Sequence, residues 1–143
     1  MNLLFLLTPK AACSYVREED SLRQALERMT LSGYAAIPIL NRDGVYLGTL
    51  TEGDLLRAMK SLKLTDFREA ENYSIMEIPR RRDNEPVSAN TNVEDLRGML
   101  LDQNFIPVVD DKDTFIGLVT RKSLMQYYLR QYDAAVKRLI TTA

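Results

Sequence analysis

One small unit is written twice in this chain, and any fold proposed for it must house two copies of the same part. Gly33 to Asp54 reads GYAAIPILNRDGVYLGTLTEGD, and Asn104 to Ser123 reads NFIPVVDDKDTFIGLVTRKS. Pro38 matches Pro107, Gly48 matches Gly117 and Thr51 matches Thr120, each at an offset of 69. The repeat reaches further back, because Thr8-Pro9-Lys10 returns as Ile78-Pro79-Arg80 at an offset of 70.

Within the first copy, a brief strand is expected around Tyr15-Val16. Ser21-Leu22-Arg23-Gln24 is a capping box, and apolar residues at helical spacing predict a helix over 21–32, closed by Gly33. Ala35 to Leu40 and Val45 to Leu50 read as strands around the turn Asn41-Arg42-Asp43-Gly44. Thr51 caps a further helix expected to carry Leu55, Leu56, Met59 and Leu62 on one side. Residues 63–86 read as a connection with a basic cluster, Arg80-Arg81-Arg82.

The second copy opens on Thr91-Asn92-Val93-Glu94, another capping box, and Val93, Leu96 and Leu100 repeat the apolar helix face. Leu22 to Pro38 spans 16 positions but Val93 to Pro107 only 14, so the second helix-to-strand joint is shorter and lacks a counterpart of Gly33. The last helix is expected from about Thr120 to Ile140. Its Tyr127, Tyr128 and Tyr132 are read as a packing or dimer face. The fold class is α/β (α+β), two pseudo-symmetric β-α-β-β-α units in one compact module.

Composition narrows the function. At 143 residues with a net charge of -1, the chain has no charge imbalance pointing to nucleic acid or a membrane surface. Histidine is absent and Cys13 is the one cysteine, which removes the commonest general base and any internal disulfide, and leaves no thiol-type zinc site. No phosphate-binding glycine loop, activated nucleophile or metal cluster is visible, so no catalytic residue, metal or cofactor is assigned. Met1 to Leu7 is apolar but too short to span a bilayer and lacks the basic start of a signal peptide, so a cytoplasmic protein is expected.

The two copies resemble a tandem pair of cystathionine-β-synthase (CBS) motifs, a Bateman module. The likeness rests on the apolar-Pro-apolar strand, the Gly-x-x-Thr helix start and the matching helical faces, each in the same order twice. The segments AAIP, EIPR and GLVTRK are similar to stand-alone bacterial CBS proteins that act as cyclic di-AMP receptors. The resemblance places the first motif at 8–62, a connecting segment at 63–77, the second motif at 78–130 and a helical extension at 131–143. It implies two clefts between the motifs, a disc-shaped homodimer, and an adenine nucleotide (AMP, ADP, ATP or cyclic di-AMP) bound as regulatory ligand and read by an effector protein.

Residue by residue, the resemblance assigns ribose and phosphate contacts to Thr51 and Asp54 in the first unit. In the second it assigns Thr120, with Ser123 where the family usually has an acid and with Arg121 and Lys122 favouring phosphate. Base contacts fall to Lys10, Ala12, Tyr34, Ala36, Ile37 and Pro38, and to Arg80, Phe105, Ile106 and Pro107. Each has a plainer role available: Thr51 and Asp54 as a helix cap, Phe105 and the isoleucines as core, the arginines as a solvated loop. A scaffold without ligand and, more remotely, an enzyme are the competing functions.

Overall fold

The computed structural model describes residues 1–142. In chain order the strands and longest helices are β1 (Thr8–Pro9), β2 (Val16–Arg17), α1 (Leu22–Ser32), β3 (Ala36–Leu40), β4 (Tyr46–Thr51), α2 (Glu52–Ser61), β5 (Val87–Ser88), a 3-10 helix (Val93–Leu101), β6 (Phe105–Val109), β7 (Phe115–Thr120) and α3 (Arg121–Thr142), with shorter 3-10 turns between them. One sheet has the order β2-β3-β4, the other β1-β7-β6-β5. In each unit the short strand pairs parallel with the proline strand, which pairs antiparallel with its hairpin partner.

The local rules read from the sequence operate in the first unit. Ser21 accepts from the Gln24 amide while Gln24 returns a bond to the Ser21 amide, a cap worth about 1 kcal/mol. Gly33 closes α1 in the left-handed region at φ 70°. Leu22, Ala25, Met29, Ile37, Ile39, Leu50, Leu55 and Ala58 form the core of this unit.

The pseudo-twofold axis passes between the hairpin tips. Val45 bridges Thr114, its own counterpart 69 residues on, and the Phe115 amide donates to the Gly44 carbonyl at 2.9 Å.

Several expectations need correction. Residues 63–86 are not a free connection: Ala70, Ile75 and Ile78 complete the core of the first unit, and the Tyr73 carbonyl accepts from the Leu22 amide. Conversely, the N-terminal segment crosses over to the second unit. Leu3 is fully buried there among Val93, Leu96 and Leu124, a burial worth about 2 kcal/mol, and β1 pairs with β7. Leu56 faces solvent; Ala58 holds the core position of α2 instead.

The helical segment of the second unit is a 3-10 helix whose N-cap is Asn92, and the box expected at Thr91 and Glu94 does not form. Its shortened joint gives the reason. Nine residues rising about 2.0 Å each in a 3-10 helix cover about the length of eleven rising about 1.5 Å in α1. Gly98 also weakens the α-helical alternative. The tyrosines divide: Tyr127 and Tyr128 meet edge to face at 5.2 Å against the second core, while Tyr132 is exposed.

Candidate functional site

A cleft of about 480 Å³ opens between the two units, where the starts of the two proline strands, β3 and β6, both reach its lining. Its walls are Thr8, Ala12, Cys13 and Ser14 from the first lead-in, Tyr34 to Pro38 at the start of β3, Asn104 and Phe105 at the start of β6, and Leu118, Thr120, Arg121 and Lys122 where β7 becomes α3. Each cleft wall is therefore built from the lead-in of one unit and the Gly-x-x-Thr end of the other. This follows from the crossover: β1 lies on β7, so residues 8–14 approach α3 rather than α2.

At the polar end, Thr120 starts α3. Its hydroxyl accepts from the Ser123 amide at 3.0 Å and donates to Ser123 Oγ at 2.9 Å. The Arg121 amide donates to the Asn104 carbonyl at 3.0 Å, and Arg121 Nε donates to the Gln103 carbonyl at 3.1 Å, which holds the guanidinium at the cleft mouth. Two cations beside a helix N-terminus make an anion-attracting corner. The opposite end is apolar and smooth, with Ala12, Ala36, Ile37 and Pro38 facing Phe105, and Tyr34 56% exposed at the lip.

Cys13 sits in this wall with its thiol directed at the Thr8 and Pro9 carbonyls, 3.5 and 3.3 Å away. Burial pushes its pKa up to about 11, only partly offset by the Leu118 amide.

The second, pseudo-symmetric cleft is closed by its own side chains. Asp83 stands where the first lead-in has Cys13, and its carboxylate accepts from the Thr49 amide at 2.9 Å and from Arg80 at 2.9 and 3.2 Å. Burial would raise the Asp83 pKa, but the Arg80 guanidinium and the Thr49 amide outweigh it and hold the carboxyl below its ordinary value. Asn84, where the open cleft has Ser14, donates to Asn104 Oδ1 at 3.2 Å and to the Phe105 carbonyl at 3.1 Å, sealing the gap.

Charge opposes occupation of the closed cleft as well. The Glu52 amide bonds the Ala35 carbonyl at 2.9 Å as the Arg121 amide bonds Asn104, so the helix starts superpose residue on residue. Where the open cleft presents Arg121 and Lys122, the matching positions at the start of α2 are Glu52 and Gly53, an acid and a neutral residue in place of two bases.

The expected site residues thus fall into two groups. Ala12, Tyr34, Ala36, Ile37, Pro38, Phe105, Thr120, Arg121 and Lys122 line the open cleft. Lys10, Thr51, Asp54, Arg80, Ile106, Pro107 and Ser123 do not. Lys10 turns outward, its ammonium 5.6 Å from the Tyr15 ring centroid. Asp54 is fully buried; it accepts from the Thr51 amide, from Arg57 and from the Arg81 amide at 3.2 Å, so it has no surface to offer a ribose. Thr51 serves as the cap of α2, and Arg80 is spent on Asp83. Ile106 packs in the second core, Pro107 is buried mid-strand, and Ser123 turns back to bond Thr120. Thr8, Cys13, Ser14, Ala35, Asn104 and Leu118 were not anticipated; Cys13 and Ser14 could have been found by aligning the two lead-ins, where they face Asp83 and Asn84.

Comparison with known proteins agrees with the duplicated architecture. A curated relative, cyclic di-AMP receptor B of Bacillus subtilis (strain 168), is 25% identical over 118 residues, covering 79% of this chain and 76% of its own. Among solved structures, CbpB in complex with c-di-AMP superposes with a TM-score of 0.80 at 19% identity, over 96% of this chain and 91% of that one. CbpB of Listeria monocytogenes in complex with c-di-AMP gives 0.78 at 23% identity, over 92% and 98%. CBSX2 in complex with AMP gives 0.73 at 21% identity, again over 92% and 98%. Residues 9–61 and 75–130 each match the CBS domain, and the chain belongs to that family as a tandem pair.

Proposed function

We propose that the open cleft binds one adenine nucleotide per chain and that its occupancy regulates a partner protein in the cytoplasm. The observation that carries this reading is the polarity of the cleft. It has apolar walls at one end, from Ala36, Ile37, Pro38 and Phe105, and, at the other, Thr120, Arg121 and Lys122 around the N-terminus of α3. A volume of about 480 Å³ lies within the range of small-molecule sites. In this reading Ala36, Ile37, Pro38 and Phe105 enclose the adenine and Tyr34 folds over it. Arg121 and Lys122 meet the phosphate, planar guanidinium matching phosphate oxygens. The relative's name and the c-di-AMP and AMP complexes support cyclic di-AMP or AMP as the ligand, and ADP and ATP share the same base and ribose.

Because the walls come from both motifs, a bound nucleotide bridges them and biases their relative orientation, which an effector reads as a population shift. The reading assigns the chain no catalytic step. It includes a homodimer: Leu31 and Leu101 are each 86% exposed at the ends of α1 and of the 3-10 helix, and Leu56 and Met125 lie exposed at matching places on α2 and α3. An apolar set written twice suits a symmetric face against a second copy.

Calorimetric titration with AMP, ADP, ATP and cyclic di-AMP tests the proposal. One site per chain is expected, and Arg121→Gln should weaken phosphate-bearing ligands about tenfold or more, the scale of one charge-assisted contact. No heat with any of the four, or unchanged affinity in Arg121→Gln, would overturn it.

A further inference from the structure

A second cluster of cations lies outside the cleft, on the far side of the turn that carries Lys10. Lys10, Arg17 and Arg42 line a pocket of about 130 Å³ together with Tyr15, Asn41, Asp43 and Gly44. The three charges come from three separate segments: the first lead-in, β2 and the β3–β4 turn. Folding converges them; they are not a run of basic residues.

Two of them flank one ring, with the Lys10 ammonium 5.6 Å and the Arg17 guanidinium carbon 5.9 Å from the Tyr15 centroid. Among the described residues none of the three makes an ion pair, although ion pairs occupy Arg23, Arg57, Arg68, Arg80 and Arg82 elsewhere. The acids nearby are otherwise placed. The Asp20 carboxylate accepts the Arg17 backbone amide at 2.9 Å, and Asp43 sits in the turn as the one acid of the pocket lining.

Three like charges held around one polar hollow repel each other unless an anion joins them. The room admits one or two phosphoryl groups but no nucleoside. We infer that this pocket is an anion site for a phosphate or diphosphate group, with Arg17 and Arg42 supplying paired N–H donors and Lys10 a point charge. The site does not depend on the reading of the cleft. The two share only the turn Lys10–Ala12, from which Ala12 faces the cleft and Lys10 the pocket.

Inorganic pyrophosphate is the probe, titrated calorimetrically into the full chain, alone and after saturation with AMP. One site is expected whose affinity falls with added salt, survives AMP, and drops about tenfold or more in Arg17→Gln and in Arg42→Gln. Both side chains are exposed, so both variants should keep the wild-type melting profile. Arg42→Lys should retain more affinity than Arg42→Gln. Absence of pyrophosphate binding would overturn the inference. So would binding that Arg121→Gln or AMP removes and Arg17→Gln leaves intact, since that would place the anion in the cleft.

Discussion

Gly117 carries no side chain because the Thr8 carbonyl occupies the place one would take: a Cβ built there would stand 2.2 Å from that oxygen. Its counterpart Gly48 is crowded too, but by the ends of flexible side chains, Asp83 at 2.4 Å and Arg80 at 2.8 Å. Gly117→Ala is therefore expected to cost about 3 kcal/mol, since backbone must move and φ 155° is unsuited to alanine. Gly48→Ala should cost about 1 kcal/mol, because Asp83 and Arg80 can swing away. Urea denaturation of the two variants checks the order.

Asp54 is a structural residue in this fold. Asp54→Ala removes the return half of the α2 capping box, leaves Arg57 unpaired and strips the Arg81 amide of its acceptor. A loss of about 2 to 4 kcal/mol is expected, the lower part of the range because Arg57 is half exposed. AMP affinity at a temperature where the variant is folded should change less than in Arg121→Gln, by calorimetry.

Alkaline pH should loosen the joint between the units through Tyr46. Burial raises its pKa to about 12, and its hydroxyl bonds Thr49 Oγ1 at 2.6 Å and the Asn84 carbonyl at 2.9 Å. The folded value lies above the unfolded one near 10, so this contribution is intact below about pH 10 and fades as pH rises to about 12. Up to about 2 kcal/mol is at stake. Tyr46→Phe should lower stability at neutral pH and flatten the alkaline limb of stability against pH.

Cys13 reports on the cleft. With its pKa near 11, little thiolate exists at pH 8, so alkylation by iodoacetamide should be slow relative to a free thiol. A ligand in the cleft covers the same wall, and saturating AMP should slow the reaction further. Mass spectrometry of the labelled chain gives both rates; equal rates with and without AMP would place the nucleotide elsewhere.

The proposed dimer face gives a further test. Leu56→Glu places a charge on an exposed apolar position that touches neither cleft wall nor core. Sedimentation is expected to show a shift toward monomer with an unchanged melting curve at low concentration.

The duplication, the hairpins and the first capping box were legible because they depend on residues close in sequence. The crossover was not, since the pairing of Thr8 with Leu118 is a contact between segments that no local pattern announces. That single pairing explains why Asp54 and Arg121 belong to different clefts. The unequal clefts were written in the chain all the same. Glu52 opposite Arg121, Asp83 opposite Cys13 and Asn84 opposite Ser14 appear once the copies are aligned throughout. The 3-10 helix was hidden because its apolar spacing over so few residues also fits an α-helix.

The crossing of the N-terminal segment has a mechanical side. Leu3 anchors the first residues in the second motif, and β1 continues without slack into the turn that floors the open cleft. A pull applied at residue 1 would load the second sheet and then the cleft floor before the first motif felt it. The N-terminal segment is in that sense a drawstring threaded past the open cleft, and a reporter fused to it would register tension there sooner than one attached to α2.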